Sequence, residues 1–240
     1  MITVSEGLIL RKIAYKDSLC IVSIFTLEKG LEAFVAYPSN SKKAKIKPAY
    51  LSPLNFIEFS SSEKPLRALQ VISEIKMKLI YKTLQEHPLK NLIAQFILEI
   101  LQKSIREHEG NPELYEFLFK TFYGLDEALE PNPSFNLHFL LDLSAYLGFC
   151  PEPGRNISPG IFDLKEGVFV TCEPLHNSFL NLELSQALNH LLQCRADGKK
   201  YGGNLSERRQ LMEALISFFR LHLPAFGEVK SLSVLKEIFS

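Results

Sequence analysis

The chain has 240 residues, 46% hydrophobic and 22% charged, which is enough apolar material for a sizeable core and excludes a disordered chain. Its formal net charge is zero, yet residues 1–80 hold 12 Lys and Arg against 7 Asp and Glu, while residues 81–240 hold the other 15 against 20. A positive first third directs that part toward an anion, although an excess this small is also common without function.

Met1 is followed by "ITVSEGLIL", which has neither a basic leader nor a long apolar run. No window reaches the roughly 18 apolar residues of a membrane span. These features predict a soluble cytoplasmic protein that does not meet a membrane. Four cysteines, Cys20, Cys150, Cys172 and Cys194, lie too far apart for a secreted disulfide framework.

The first third reads as strands. "ITVSEGLILRKIAY" and "SLCIVSIFTL" are followed by a tight turn at "EKG" and a return in "LEAFVAY". "YLSPLNFIEFS" and "LRALQVISEI" supply a fourth and fifth strand. Five short strands in so few residues suit a closed barrel of the OB type, with an SH3-like barrel as the alternative. The period then changes near residue 80. "HPLKNLIAQFILEILQKSI" leaves only a narrow polar stripe through Asn91, Gln95 and Glu99, so it predicts a largely buried helix with Pro88 in its first turn. "PELYEFLFKTFYGLDEAL" and "PSFNLHFLLDLSAYLG" predict two more helices, the last ending at Gly148.

"CPEPGRNISPGIFDLKEGVFVTC" interrupts the helices with two short strands around Glu166-Gly167. Helices resume in "LELSQALNHLLQCR" and "ERRQLMEALISFFRLHL", the second opened by a capping box of Asn204 and Glu207 and stopped by Pro224. A short final helix is expected over residues 230–239. The fold class is therefore α+β: a five-stranded OB-type barrel over residues 1–80, then a helical bundle over residues 81–240 with a hairpin insertion at about 150–176.

Support for catalysis is thin. There is no G-x-S-x-G, no H-E-x-x-H and no phosphate loop. The six histidines sit in unrelated contexts, and acidic pairs such as Asp126 and Glu127 read as solvated helix positions. The expectation is a non-enzyme without cofactor.

Nucleic-acid binding has better support. "YPSNSKKAKIKPAY" places Lys42, Lys43, Lys45 and Lys47 on one connection between strands, and no Asp or Glu occurs between Glu32 and Glu58. Lysines on a loop can follow a phosphate backbone without fixed geometry. Arg11, Lys12, Lys76 and Lys78 extend the same candidate face. Tyr37 and Tyr50 flank the loop and could stack on bases, though the plainer reading packs both into the barrel. Arg195, Lys199 and Lys200, in "CRADGKKYGGN", form a second basic loop that a helix connection explains equally well.

These features together resemble one family. Thr3, Gly7 with "LIL", Tyr15 before Asp17, "IFTLEKG", the basic segment at 39–47, "LLDLSAYLGFCPEP" and "HLPAFGEVKSLSVLKEIF" occur in the order and spacing of the bacterial recombination mediator RecO family. The resemblance covers essentially the whole chain. It implies an OB-fold, a helical domain and, in many members, an inserted zinc ribbon. It also implies binding of single- and double-stranded DNA, annealing of complementary strands, capture of the acidic C-terminal tail of single-strand-binding protein, and a complex with RecR that loads the recombinase RecA.

Two departures stand out. The family's "G-x-R" is absent from the basic loop, where lysine supplies charge without a bidentate fork. The ribbon keeps one thiol of each expected pair, Cys150 and Cys172, with His176 as the spare nitrogen; a structural zinc takes four ligands, so no metal is predicted. For the partner tail, Tyr115, Phe119, Lys120 and Phe122 are a candidate groove wall, and core packing accounts for the same rings. A second reading keeps the barrel but drops recombination: an RNA-binding or protein-interaction barrel on a helical scaffold.

Overall fold

The computed structural model describes residues 2–16, 19–62, 69–106, 108–153 and 160–233. Five strands come first: β1 (Ile2–Lys16), β2 (Leu19–Thr26), β3 (Gly30–Ala36), β4 (Phe56–Ser62) and β5 (Gln70–Met77). They close into one barrel in the order β1-β2-β3-β5-β4, with β1 returning to β4. All pairs are antiparallel except β3 with β5. This is the OB topology, and closure gives every strand a neighbour on both sides.

The barrel closes because β1 is long enough to pair twice. Its first half lies on β4 and its second half on β2, and the register shifts between Ile9 and Arg11. Gly7 sits where the two pairings meet; a Cβ there would collide with the Ile24 side chain and the Phe25 carbonyl. The core is filled from all five strands, with Phe34 edge-on to Phe59 at 4.9 Å. Ile46 and Leu51, from the connection between β3 and β4, seal the barrel. That connection ends in a 3-10 turn, Pro48–Leu51, so β4 starts at Phe56, later than the sequence run beginning at Tyr50 suggests.

The chain forms two compact units, Met1–Leu129 and Glu130–Ser240. The first therefore contains, besides the barrel, α1 (Pro88–Ser104) and α2 (Pro112–Glu127). Gln102 Nε2 donates to the Leu10 carbonyl at 2.5 Å, tying α1 to β1. Phe56, fully buried, receives the rings of Tyr115, Phe119 and Phe122 from α2 at 5.7, 5.2 and 6.0 Å. Burial of such a ring contributes about 2–3 kcal/mol.

Asp126, near the end of α2, is buried and accepts from the backbone N–H groups of Lys82, Thr83 and Leu84 at 2.9, 2.9 and 2.7 Å. Lys90 is buried beside it, its ammonium donating to Thr83 Oγ1 at 2.6 Å and to the Asp126 carbonyl at 2.7 Å. The solvated role expected for Asp126 is thus wrong: its carboxylate organises the connection that leaves the barrel.

The second unit holds α3 (Phe135–Tyr146), a hairpin of β6 (Ile161–Asp163) and β7 (Val168–Val170), α4 (Leu182–Ala196) and α5 (Leu205–His222). Gly148 has φ +82°, the left-handed conformation of a helix C-cap. Asn204 caps α5 by accepting from Glu207 N at 2.9 Å, while the Glu207 carboxylate takes the Tyr201 hydroxyl instead of closing a capping box. The final helix expected over residues 230–239 is described only to residue 233; the remainder lies outside the described residues.

Candidate nucleic-acid interface

Among the described residues β3 and β5 pair at Phe34–Gln70 and Val35–Val71 and no further. The basic segment fills the gap they leave. Ser39 N donates to the Ile46 carbonyl at 3.0 Å and closes the excursion. Ile75 N donates to the Lys45 carbonyl at 3.4 Å and fastens its return to β5. Ser41 and Ala44 make the turn at the tip. Buried Ile46 anchors the loop, so a backbone fixed at its base carries lysines that point into solvent.

The lysines on this loop are not equivalent. Lys42 and Lys43 are exposed at the tip, and among the described residues no acid pairs with either. Lys47 lies 5.8 Å from the Tyr50 ring centroid, and Lys12 Nζ reaches the Pro48 carbonyl at 3.2 Å, so both stay beside the loop, and among the described residues no acid pairs with either. Lys45 is paired with Glu74 at 3.2 Å.

Lys76 and Lys78 are occupied differently. The register puts Glu6 opposite Glu58, a like-charge pair across β1 and β4. Lys76 meets Glu58 at 3.1 Å and Lys78 meets Glu6 at 2.5 Å, which neutralises that pair. The hydrogen bond from Lys76 to Glu58 raises the pKa of its ammonium.

The outward face of the barrel carries an apolar row. Ile13, Ile21, Val35 and Val71 lie in one continuous register row across β1, β2, β3 and β5. They alternate with the inward Cys20, Val22, Phe34 and Ile72, so the row faces out. Tyr37, 52% exposed, follows Val35 by two positions, and Arg11 precedes Ile13 by two on β1, while Tyr15, 62% exposed, sits at a second register shift between Ala14 and Lys16. Tyr50 packs against the core as its plainer reading has it, but Tyr37 does not. Tyr15 and Ile13 were not among the expected site residues. The bulge after Ile9 sets which way Ile13 points, and the run Leu8, Ile9, Leu10, all buried, is the sign in the sequence that strict alternation breaks there.

The second basic loop is largely committed to its own unit. Arg195 donates to Asp142 at 2.6 Å and to the Cys150 sulfur at 3.6 Å. Burial disfavours its charge most strongly, but the hydrogen bond and charge of Asp142 together with Cys150 outweigh that and raise its pKa. Lys199 pairs with Asp197 at 2.8 Å, and Lys200 is exposed. The candidate groove wall on α2 is packed against Phe56: Tyr115 and Phe122 are buried, Phe119 is half-buried, and Lys120 pairs with Glu116 at 3.1 Å on the exposed side.

Comparison with known proteins decides the family. The chain matches the family model "Recombination protein O N terminal" over residues 1–81 and "Recombination protein O C terminal" over residues 85–232. The chain belongs to the RecO family. It is 33% identical to DNA repair protein RecO of Phocaeicola vulgatus, with all of both chains covered. It is 33% identical to the RecO of Flavobacterium johnsoniae over 98% of each chain, and 32% identical to that of Porphyromonas gingivalis over the whole of both.

The RecO resemblance raises the question of zinc, and the residues present do not fit one. The Cys150 sulfur is engaged by Arg195, Cys172 is exposed, and His176 Nε2 meets Asp163 at 3.2 Å. Among the described residues no three His, Cys, Asp or Glu converge. All four cysteines are free thiols. The hairpin is held by apolar and aromatic contact. Phe162, fully buried, meets Phe169 at 4.9 Å and Phe218 at 6.0 Å, and His222 Nε2 lies 3.1 Å from the Leu164 carbonyl. Among the described residues, no helix is long and apolar enough to cross a membrane.

Proposed function

We propose that this chain is a DNA-binding recombination mediator in DNA repair, which anneals complementary strands and helps load recombinase onto single strands coated with single-strand-binding protein. Membership of the RecO family supports the role. The observation that carries the DNA-binding part is the barrel loop, where Lys42 and Lys43 project with no paired acid among the described residues and Lys12 and Lys47 stand beside them. Such a cluster exchanges condensed counterions for phosphates, which yields affinity without sequence preference. No bond is made or broken; the protein acts by holding strands. The acidic, apolar tail of single-strand-binding protein and RecR belong to the same reading as protein partners, and they rest on family membership alone.

Affinity for a short single strand, measured at several salt concentrations, tests this. Replacing Lys42, Lys43, Lys45 and Lys47 with Ala should flatten the slope of log affinity against log salt by roughly 2 to 3. An unchanged slope removes the loop from the mechanism. A preference for structured RNA over DNA, together with failure to bind single-strand-binding protein with its tail intact, would favour the RNA-binding alternative.

A further inference from the structure

We infer that two copies of this chain dock head to tail, the lysine loop of one barrel on an acidic end formed by Glu28, Glu109 and Glu113 of the next, and that a single strand breaks the contact by taking the loop. The inference rests on the proposal that this loop holds phosphate.

Three observations meet at the acidic end. The first is position. β3 runs from the tight turn after Thr26 to the basic loop, so turn and loop lie at opposite ends of one strand, about 20 Å apart. The connection between α1 and α2 is seated on that turn. His108 Nδ1 lies 2.5 Å from the Leu31 carbonyl, and a Cβ at Gly110 would collide with the Glu28 backbone. Glu109 and Glu113, the latter in the first turn of α2, are thereby brought to the same end of the barrel as Glu28.

The second is charge. Glu28, Glu109 and Glu113 are exposed, and among the described residues no Lys or Arg pairs with any of them. Glu116, one turn further along α2, is paired with Lys120, and Lys29, exposed in the turn, offsets part of the remaining charge. The third lies beneath. Tyr115 is 4% exposed, and its hydroxyl has no hydrogen-bond partner among the described residues. Burial pushes its pKa up, and the charges of Glu6, Glu28 and Glu116 push it further. The hydroxyl thus lies in the field of these acids, and a cation docked over them would offset that field.

The chain itself carries the complement. Lys42 and Lys43 are exposed at the loop tip with no paired acid among the described residues, and Lys47 stands beside them. Loop and acidic end are different surfaces, so the contact does not close on itself. Each pairing leaves a loop at one end and an acidic end at the other, and chains grow. Exposed ion pairs are individually weak and screened by salt, so the contact needs several at once and low ionic strength. A nucleic-acid strand presents a denser row of negative charge and releases counterions when the loop binds it, so it displaces the acidic end. The loop is then covered where no strand is present and freed where one is.

Sedimentation of the full chain at about 0.02 M and about 0.3 M salt tests this. At the lower salt the mean mass should rise steadily with protein concentration, and at the higher salt it should stay that of a monomer. Lys42→Ala with Lys43→Ala should weaken association by roughly tenfold, and so, separately, should Glu28→Gln with Glu109→Gln and Glu113→Gln. Every substituted position is exposed, and an unchanged thermal melt confirms that both variants fold. An equal mixture of the two variants should associate again but stop at a dimer, because only one intact loop meets one intact acidic end. A short single strand should dissolve the parent's assemblies. A parent that stays monomeric at low salt, a loss confined to one of the two variants, a mixture that does not associate, or assemblies that survive the strand would overturn the docking. An unaltered DNA salt slope in the lysine variant, with its self-association lost, would instead remove the loop from strand binding and leave the contact between copies standing.

Discussion

Two segments of this chain look alike in sequence and differ in what their cations hold. In the barrel, the segment around Lys42 to Lys47 is built on a buried anchor, Ile46, and its tip lysines face solvent with no paired acid among the described residues. At the end of α4, Arg195 is taken up by Asp142 and Cys150, and Lys199 by Asp197. Both are short, basic and flanked by small residues. The difference teaches that local basic composition does not measure available charge. A cation counts toward a polyanion only to the extent that the fold has not already matched it, and the matching acids come from other elements: Asp142 lies on α3, 53 positions from Arg195.

The extreme of the committed cations is Lys90, buried beside Asp126, and it marks where the comparison can be broken hardest. Burial alone would raise the Asp126 pKa, but backbone N–H donors from Lys82, Thr83 and Leu84 outweigh it and hold the carboxyl below its ordinary value. Asp126→Ala leaves those three donors unpaired in the interior and should cost about 3 kcal/mol of stability, read from chemical denaturation. The folded pKa is depressed, so this contribution is present above the ordinary carboxylate range near pH 4 and is lost as pH falls through the lower folded value. The parent should therefore lose stability over that acid range more steeply than the variant. Equal slopes would mean that the carboxylate is not what fixes the connection after the barrel. The DNA salt slope of the folded variant should match the parent's, because Lys90 is buried and bonded to Thr83 and the Asp126 carbonyl.

Arg195→Ala is the next largest effect and contrasts directly with the loop lysines. The pair with Asp142 is partly solvated, so its loss should cost about 1 kcal/mol. The slope of DNA affinity against salt should stay unchanged. A slope reduced by roughly 0.7 with unaltered stability would reverse the assignment and make Arg195 a phosphate ligand.

Much of this architecture was legible in the sequence because its signals were periodic. Alternation in β2 and β3, the narrow polar stripe of α1 and the Asn204 cap of α5 each report a local rule, and each element forms where that rule places it. The candidate site was legible only in its charges. The loop lysines were visible as a run, but the pairing of Lys76 and Lys78 with Glu58 and Glu6 depends on register between strands distant in the chain. Ile13 was hidden by a bulge that shifts the register after Ile9, and Tyr15 by a second shift between Ala14 and Lys16. The rings of α2 read as a groove wall or as core, and only the position of Phe56 separates those readings. Asp126 and Lys90 break the polar-outside rule together, each made tolerable by hydrogen bonds that the helix pattern does not reveal.

The smallest expected effect sharpens the comparison within the loop itself. Lys45 belongs to the cluster, yet Glu74 on β5 holds it at 3.2 Å, with both side chains well exposed. An exposed pair is worth little, so phosphate can displace Glu74 at modest cost, but the displaced carboxylate then stays beside the strand and repels it. Glu74→Gln removes the pairing and the repulsion together. Single-strand affinity should rise by roughly threefold to fivefold at 0.1 M salt, and the salt slope should steepen by about 0.7, the increment for one more phosphate contact on a single strand. The change touches no core position, so stability should move by less than about 0.5 kcal/mol. An unaltered slope would show that Lys45 already engages phosphate in the parent. Prior pairing would then be no bar to DNA contact on this surface, and Lys76 and Lys78 would return to the list of strand ligands.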